Sequence, residues 1–224
     1  GVCSRVKDAI CKLKEAGISV KLNCSLTPHN AKDLEEMVRF AKEKEVFLSV
    51  STYMYPPVRR DENMTGKNDR FQPEEAAYYH IQRYRYQKGE EAYRQYLNNI
   101  LDGLTEPLGL DESCVDPLDG RIRCRAGSAS FWITWDGYMT PCGMMPEPKV
   151  SVTDRTFSDA WQEIVKISER LRTSSVCEKC PDQQMCHSCA AMAYAETGKT
   201  TGIPTYLCKM VLEMKQIAKN ELQI

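Results

Sequence analysis

The residues with most chemistry in this 224-residue chain are its eleven cysteines. Cys177, Cys180, Cys186, Cys189 and Cys208 form a series with two, five, two and eighteen residues between neighbours, and Cys124 and Cys142 precede it. Two cysteines separated by two residues let one turn of backbone aim two thiolates at a single metal centre. One such pair is common, but two in succession flanked by further cysteines are much rarer by chance. Structural zinc sites take four ligands and 4Fe-4S clusters take four cysteines, so the spacing points to metal without identifying it. Inert or disulfide-bonded thiols are the weaker reading, because an odd count over this length is unlike a short secreted disulfide scaffold. Cys3, Cys11 and Cys24 fit apolar helix or strand positions, where a free cysteine acts as a small hydrophobe.

Other polar groups near the series are weaker candidates. His187 could complete a zinc site, although a hydrogen-bonding role around the metal or an exposed position is favoured. Glu196 and Asp136 could act as acids or bases, and surface or turn positions account for them equally well. Met144 and Met145, beside Cys142, are read as packing, as are Tyr79, Tyr86 and Tyr93, which recur every seven residues.

The elements that must position these groups change character along the chain. Val2, Val6, Ala9, Ile10 and Leu13 predict an amphipathic helix over 2–16 that ends at Gly17. Alternation over 18–26 puts Val20, Leu22, Cys24 and Leu26 on one face of a strand. A helix over 31–44 and a second strand over 46–54 follow. This helix-strand alternation predicts parallel α/β architecture, with the polar set Lys21, Asn23, Ser25, Ser49, Ser51 and Tyr53 facing a barrel lumen or solvent. Residues 56–70 read as a loop. Pro73, Glu74 and Glu75 open a helical stretch to about Leu101 with a break near Gly89. Ser130 to Thr140 reads as a hairpin with a tight type I′ turn at Asp136-Gly137. Helices follow over 157–172, with Thr156 or Ser158 as cap, and from about Thr205 to Leu222.

Hydrophobic residues are 42% and charged residues 27% of the chain, an ordinary folded composition that leaves little room for disorder. Thirty basic against thirty-one acidic side chains leave a formal charge of -1, which argues against holding a nucleic acid. No apolar run of about 18 residues and no basic-then-apolar leader is visible, so no membrane contact and a cytoplasmic location are expected. The start at Gly1, straight into a helical pattern, reads as a piece of a longer protein.

Cys124, twelve residues, Gly137, four residues and Cys142, then Cys177-x2-Cys180-x5-Cys186, Cys189 and Cys208, resemble the SPASM domain that ends many radical SAM enzymes. The match covers about residues 107–224; the family usually places three residues where two separate Cys186 and Cys189. Residues 1–55 are similar to the last units of the partial barrel that precedes that domain. The resemblance therefore implies residues 1–58 as the end of a partial (β/α) barrel, 59–106 as a helical linker, and 107–224 as a small α+β iron-sulfur domain.

Such domains carry two auxiliary 4Fe-4S clusters. The resemblance assigns Cys124, Cys142 and Cys189 to the nearer one, with Cys114 as a possible fourth ligand or an open iron site in its place. It assigns Cys177, Cys180, Cys186 and Cys208 to the farther one, with Trp132, Trp135 and Tyr206 among the residues that would tune potentials. The parent enzyme would use S-adenosylmethionine and a third 4Fe-4S cluster to abstract hydrogen from a peptide or protein side chain, and would exchange electrons with a donor or acceptor protein. The Cys-x3-Cys-x2-Cys run that binds that third cluster does not occur in these 224 residues, so the chain alone is expected to be inactive. In sulfatase-maturating relatives an acidic residue follows the second domain cysteine and serves as a base; here Gly143 stands there. The rival reading is a zinc-stabilised, non-catalytic binding module.

Overall fold

The computed structural model describes residues 2–104, 122 and 124–223. The chain divides into two units, Gly1–Met54 with Arg70–Gln95, and Tyr55–Asp69 with Tyr96–Ile224. Both mix helices with small sheets.

In the first unit, α1 (Val2–Glu15) leads into β1 (Lys21–Ser25), and a 3₁₀ turn (Ala31–Asp33) into α2 (Leu34–Glu43) and β2 (Phe47–Ser51). The strands pair in parallel with Cys24 opposite Val50, and α2 is the crossover between them. Leu34, Val38 and Ala41 make the buried stripe of α2, and Ala41 meets Ile10 and Val46 in a core flanked by Leu22, Phe40 and Leu48. On the opposite face of β1, Lys21, Asn23 and Ser25 are exposed, as the alternation requires. The paired strands are shorter than the apolar patterns that predict them, and the Leu26 amide still donates to the Ser51 carbonyl at 2.8 Å beyond the last pair.

Helix α3 (Pro73–Lys88) begins with Pro at its first position and with Glu75 accepting a hydrogen bond from the Gln72 amide at 3.0 Å. It buries Ala76, Ala77 and Ile81 and is fastened by Lys42 to the Tyr86 carbonyl at 2.7 Å and by Gln87 to the Leu48 carbonyl at 2.9 Å. Gly89 separates α3 from α4 (Glu90–Leu101). Tyr79 stacks on Phe71 and Tyr93 is buried beneath the Arg85 guanidinium.

The second unit holds an antiparallel sheet of β3 (Trp132–Ile133), β4 (Tyr138–Thr140) and β5 (Val150–Ser151), with β4 in the centre. Helix α5 (Phe157–Ser168) is capped by Thr156, whose Oγ1 accepts from the Asp159 amide at 3.2 Å. Its Ala160 and Ile164 pack on Met139 and Val150 to form a core. Three short helices follow, α6 (Ser175–Glu178), α7 (Gln183–Cys186) and α8 (Ala190–Thr197), then α9 (Thr205–Leu222). Leu207, Met210, Val211, Met214 and Ala218 form the buried stripe of α9. Among the described residues no helix is long and apolar enough to cross a membrane.

The hairpin turn differs from the expected type I′. Gly137 has φ +85°, but Asp136 is not among the described non-glycine residues with positive φ, as that turn would require. The Gly137 amide donates to the Thr134 carbonyl at 3.1 Å and the Thr134 amide to the Tyr138 carbonyl at 2.8 Å, which closes a three-residue loop. The Thr134 hydroxyl bonds both the carbonyl and the amide of Tyr138, and this clamp selects the longer loop. A glycine is needed at 137 on a second count, since a Cβ there would fall 2.7 Å from Thr153 Cγ2.

Candidate metal centres

Four cysteines come together around one cavity of about 180 Å³. Cys177, Cys180, Cys186 and Cys208 line it, with Asp182, Gln183 and Ser188. The local folding explains the placement. The Ser174 hydroxyl accepts from the Val176 amide at 3.2 Å and starts α6, which places Cys177 in the first turn and Cys180 just beyond the helix. Cys186 ends α7, where His187 turns the chain in the left-handed region with φ +48°. Cys208 lies in the first turn of α9, and α9 packs on α7. Lys215 of α9 pairs with Asp182, the residue that opens α7.

Three thiols of this group, Cys177, Cys186 and Cys208, are held in protonated form by their surroundings. Burial pushes the Cys186 thiol up to about 11, with the neighbouring Cys208 and Cys177 adding to it and hydrogen bonds from Ser188 opposing it. Burial also raises Cys177, assisted by Cys208 and Cys180, and raises Cys208, assisted by Cys180. This mutual influence is the electrostatic signature of sulfurs gathered at one place. Metal binding removes the conflict, because the cation takes the thiolates and expels the protons.

A second group forms at Cys124, Cys142 and Cys189. Cys189 is raised first by burial and then by Cys124 and Cys142, and backbone amides of Met192 and Ala191 bond it and oppose the rise. The Ala126 amide lies 3.5 Å from Cys124 Sγ, and the Met144 amide 3.4 Å from Cys142 Sγ. Each of the three sulfurs is therefore met by backbone N–H groups, the donors that stabilise a thiolate bound to iron. Tyr55 joins the group: its side chain is hydrogen-bonded to Cys189, and its phenol is raised by burial and by Cys189, Cys142 and Cys124. Cys114 lies outside the described residues.

The donor sets fit iron-sulfur centres. Four cysteine sulfurs line the cavity and three more make up the second group, the ligand type such clusters require. Among the described residues no group of three Cys, His, Asp or Glu side chains is closed around a metal position, and the first four thiols bound a cavity. Gln183 is buried at 5% exposure, and its Oε1 has no hydrogen-bond partner among the described residues. Rotation of that amide exchanges oxygen for NH₂, a donor suited to sulfur acceptors.

The remaining expectations fall apart from these groups or beside them. Cys11 and Cys24 are free thiols of the first unit, and Cys24 Sγ lies 3.5 Å from Met37 Sδ. Met145 is buried and Met144 exposed beside Cys142. Trp132 stacks beneath Arg59, whose guanidinium lies 5.3 Å from the ring and donates to the Gly143 carbonyl. A Cβ at Gly143 would fall 3.2 Å from the Trp132 ring, so this position has little room for a side chain. Trp135 is 96% exposed. Tyr55, Ser174, Ser188 and Arg59 were not singled out by spacing, because hydrogen bonds to sulfur and carbonyl carry no sequence periodicity.

No protein-family model matches the chain, and no curated protein matches it. Solved structures do. Native anSMEcpe with bound AdoMet matches over 98% of this chain and 60% of its own, with TM-score 0.58 and 18% identity. The same protein with bound AdoMet and Kp18Cys peptide matches over 98% of this chain and 61% of its own, with TM-score 0.55 and 18% identity. It is an anaerobic sulfatase-maturating enzyme, a radical SAM enzyme with a SPASM domain. The chain is similar in fold to part of that enzyme and spans about 60% of its length.

Proposed function

We propose that this chain is the carboxy-terminal portion of a radical SAM oxidoreductase that modifies a peptide or protein side chain, and that it holds two auxiliary 4Fe-4S clusters. The observation that carries this reading is the gathering of Cys177, Cys180, Cys186 and Cys208 on one cavity. The likeness to an AdoMet-binding enzyme, seen also with a bound peptide, supports it. The farther cluster would take those four thiolates. The nearer would take Cys124, Cys142 and Cys189, with Cys114 or an open iron site as the fourth position.

Such clusters, when bound, supply one-electron redox chemistry or an iron site that anchors substrate. The chain's own residues set the conditions for it. Buried Cys177 and half-buried Cys186, Cys189 and Cys208 limit access of water to the sulfurs. The amides of Ala126, Met144, Ala191 and Met192, and the hydroxyl groups of Ser174 and Ser188, place donors on the thiolates. AdoMet cleavage would belong to a third cluster outside these residues, so this chain by itself is proposed to be inactive. The crowding of Gly143 by Trp132 argues against the acid-base residue of sulfatase maturation at that position, and hence for a different side-chain chemistry.

Anaerobic reconstitution with iron and sulfide tests the reading. Broad visible absorption with about four iron atoms per centre supports it. A colourless protein that takes up zinc and no iron makes it a zinc-stabilised module instead.

A further inference from the structure

We propose that Tyr55 is a positioning residue for the nearer cysteine group, whose phenol donates a hydrogen bond to Cys189 Sγ and thereby raises the reduction potential of the centre that sulfur helps to hold. This rests on the function proposed above. Tyr55 belongs to a segment that spacing reads only as a loop, yet that segment is held by its own contacts and is tied to the elements bearing the cysteines at two points. Asn68 Nδ2 donates to the Tyr55 carbonyl at 2.9 Å, and Val58 is buried at 2% exposure. Arg59 donates to the carbonyl of Gly143, the residue after Cys142. The Gly66 amide donates to the Ala195 carbonyl at 2.9 Å, in the helix that Cys189 caps.

Two hydrogen bonds thus join the segment to the residue after Cys142 and to the helix that Cys189 caps, and they bring the Tyr55 side chain to its hydrogen bond with Cys189. A phenol is a neutral donor at neutral pH, and Cys189 already receives the amides of Ala191 and Met192. Reduction adds negative charge to a cluster and its thiolates, so each donor to sulfur favours the reduced form. The backbone donors survive any substitution, whereas the Tyr55 hydroxyl can be removed by one. Hydrogen bonds to charged acceptors are strong enough that losing one shifts an equilibrium by about tenfold.

The test uses the full 224-residue chain reconstituted anaerobically, with redox titrations followed by electron paramagnetic resonance and iron counted in parallel. Tyr55→Phe should leave the iron content unchanged and move one centre about tenfold toward its oxidised form, a shift of about 59 mV for one electron. Replacing Tyr55 by a difluorotyrosine, a more acidic donor, should move the same centre the opposite way. Unchanged potentials in both variants overturn the proposal, as does loss of iron from Tyr55→Phe, which would show that the phenol is needed to hold the centre and not only to set its potential. An iron-free wild-type chain overturns the functional reading itself, and is distinguished by the iron count before any variant is compared.

Discussion

Gly127 and Ser168 meet so closely that a Cβ on Gly127 would lie 2.1 Å from Ser168 Oγ. Gly127 has φ +71° and its amide donates to the Ser130 carbonyl at 2.8 Å, closing the tight loop that follows Cys124. Ser168 is buried, with its hydroxyl donating to the Ile164 carbonyl at 2.7 Å. The loop that carries Cys124 is therefore keyed into the last turn of α5.

Gly127→Ala must either push Ser168 out of the helix or tilt the Cys124 loop. Overpacking together with the left-handed backbone should cost about 2–4 kcal/mol. Urea unfolding would show this as a lower midpoint, and iron counts should fall at the nearer centre first. A variant with the wild-type midpoint would contradict the fit described here.

Thr156→Ala removes the hydroxyl that accepts from Asp159 and begins α5. It should cost about 1 kcal/mol without changing the iron content, because the cap lies at the opposite end of α5 from Ser168. Denaturant midpoints and iron assays on the same sample check both parts.

Cysteine substitutions should separate the two groups. Cys208→Ser removes one sulfur from the four-thiol cavity, and Cys142→Ser one from the other group. Each is expected to lower the iron content by about half and to erase one paramagnetic signal while keeping the other. If either change abolished both signals in a folded protein, the division into two centres would be wrong.

The metal-free chain should lose stability in alkali. Burial raises the folded-state Cys186 thiol from its ordinary 9.0 to about 11. Its contribution is complete below the unfolded value and is lost as pH rises through the folded one, so the window is 9.0 to about 11. Burial raises Cys177, Cys189 and Cys208 as well, and their effects have the same sign. Loading with metal should release protons, and binding should tighten as pH rises toward this window. Denaturant midpoints against pH, and proton release measured in weak buffer, check the two signs.

Much of the architecture was legible in periodicity. The buried apolar positions of α2 and α9 recur at helical spacing because each helix buries one stripe, and Gly89 marks the break after α3. The spacing of Cys177 and Cys180 matches their placement on one cavity, whereas the equally spaced Cys186 and Cys189 part between the two groups. What the spacing could not show were contacts between distant segments. Tyr55 reaches Cys189 only through tertiary folding of a loop rich in Pro, Asn and Asp. Helices α6 and α7, four residues each, are too short for any period to register. The turn after Ile133 depended on one hydroxyl, that of Thr134, which outweighs the preference of Asp-Gly for a two-residue loop.

Quantifying iron, acid-labile sulfide and zinc in the anaerobically reconstituted chain tests the central claim most directly. Two centres of about four irons each, with matching sulfide, are the expected result. Stoichiometric zinc with neither iron nor sulfide would contradict the account.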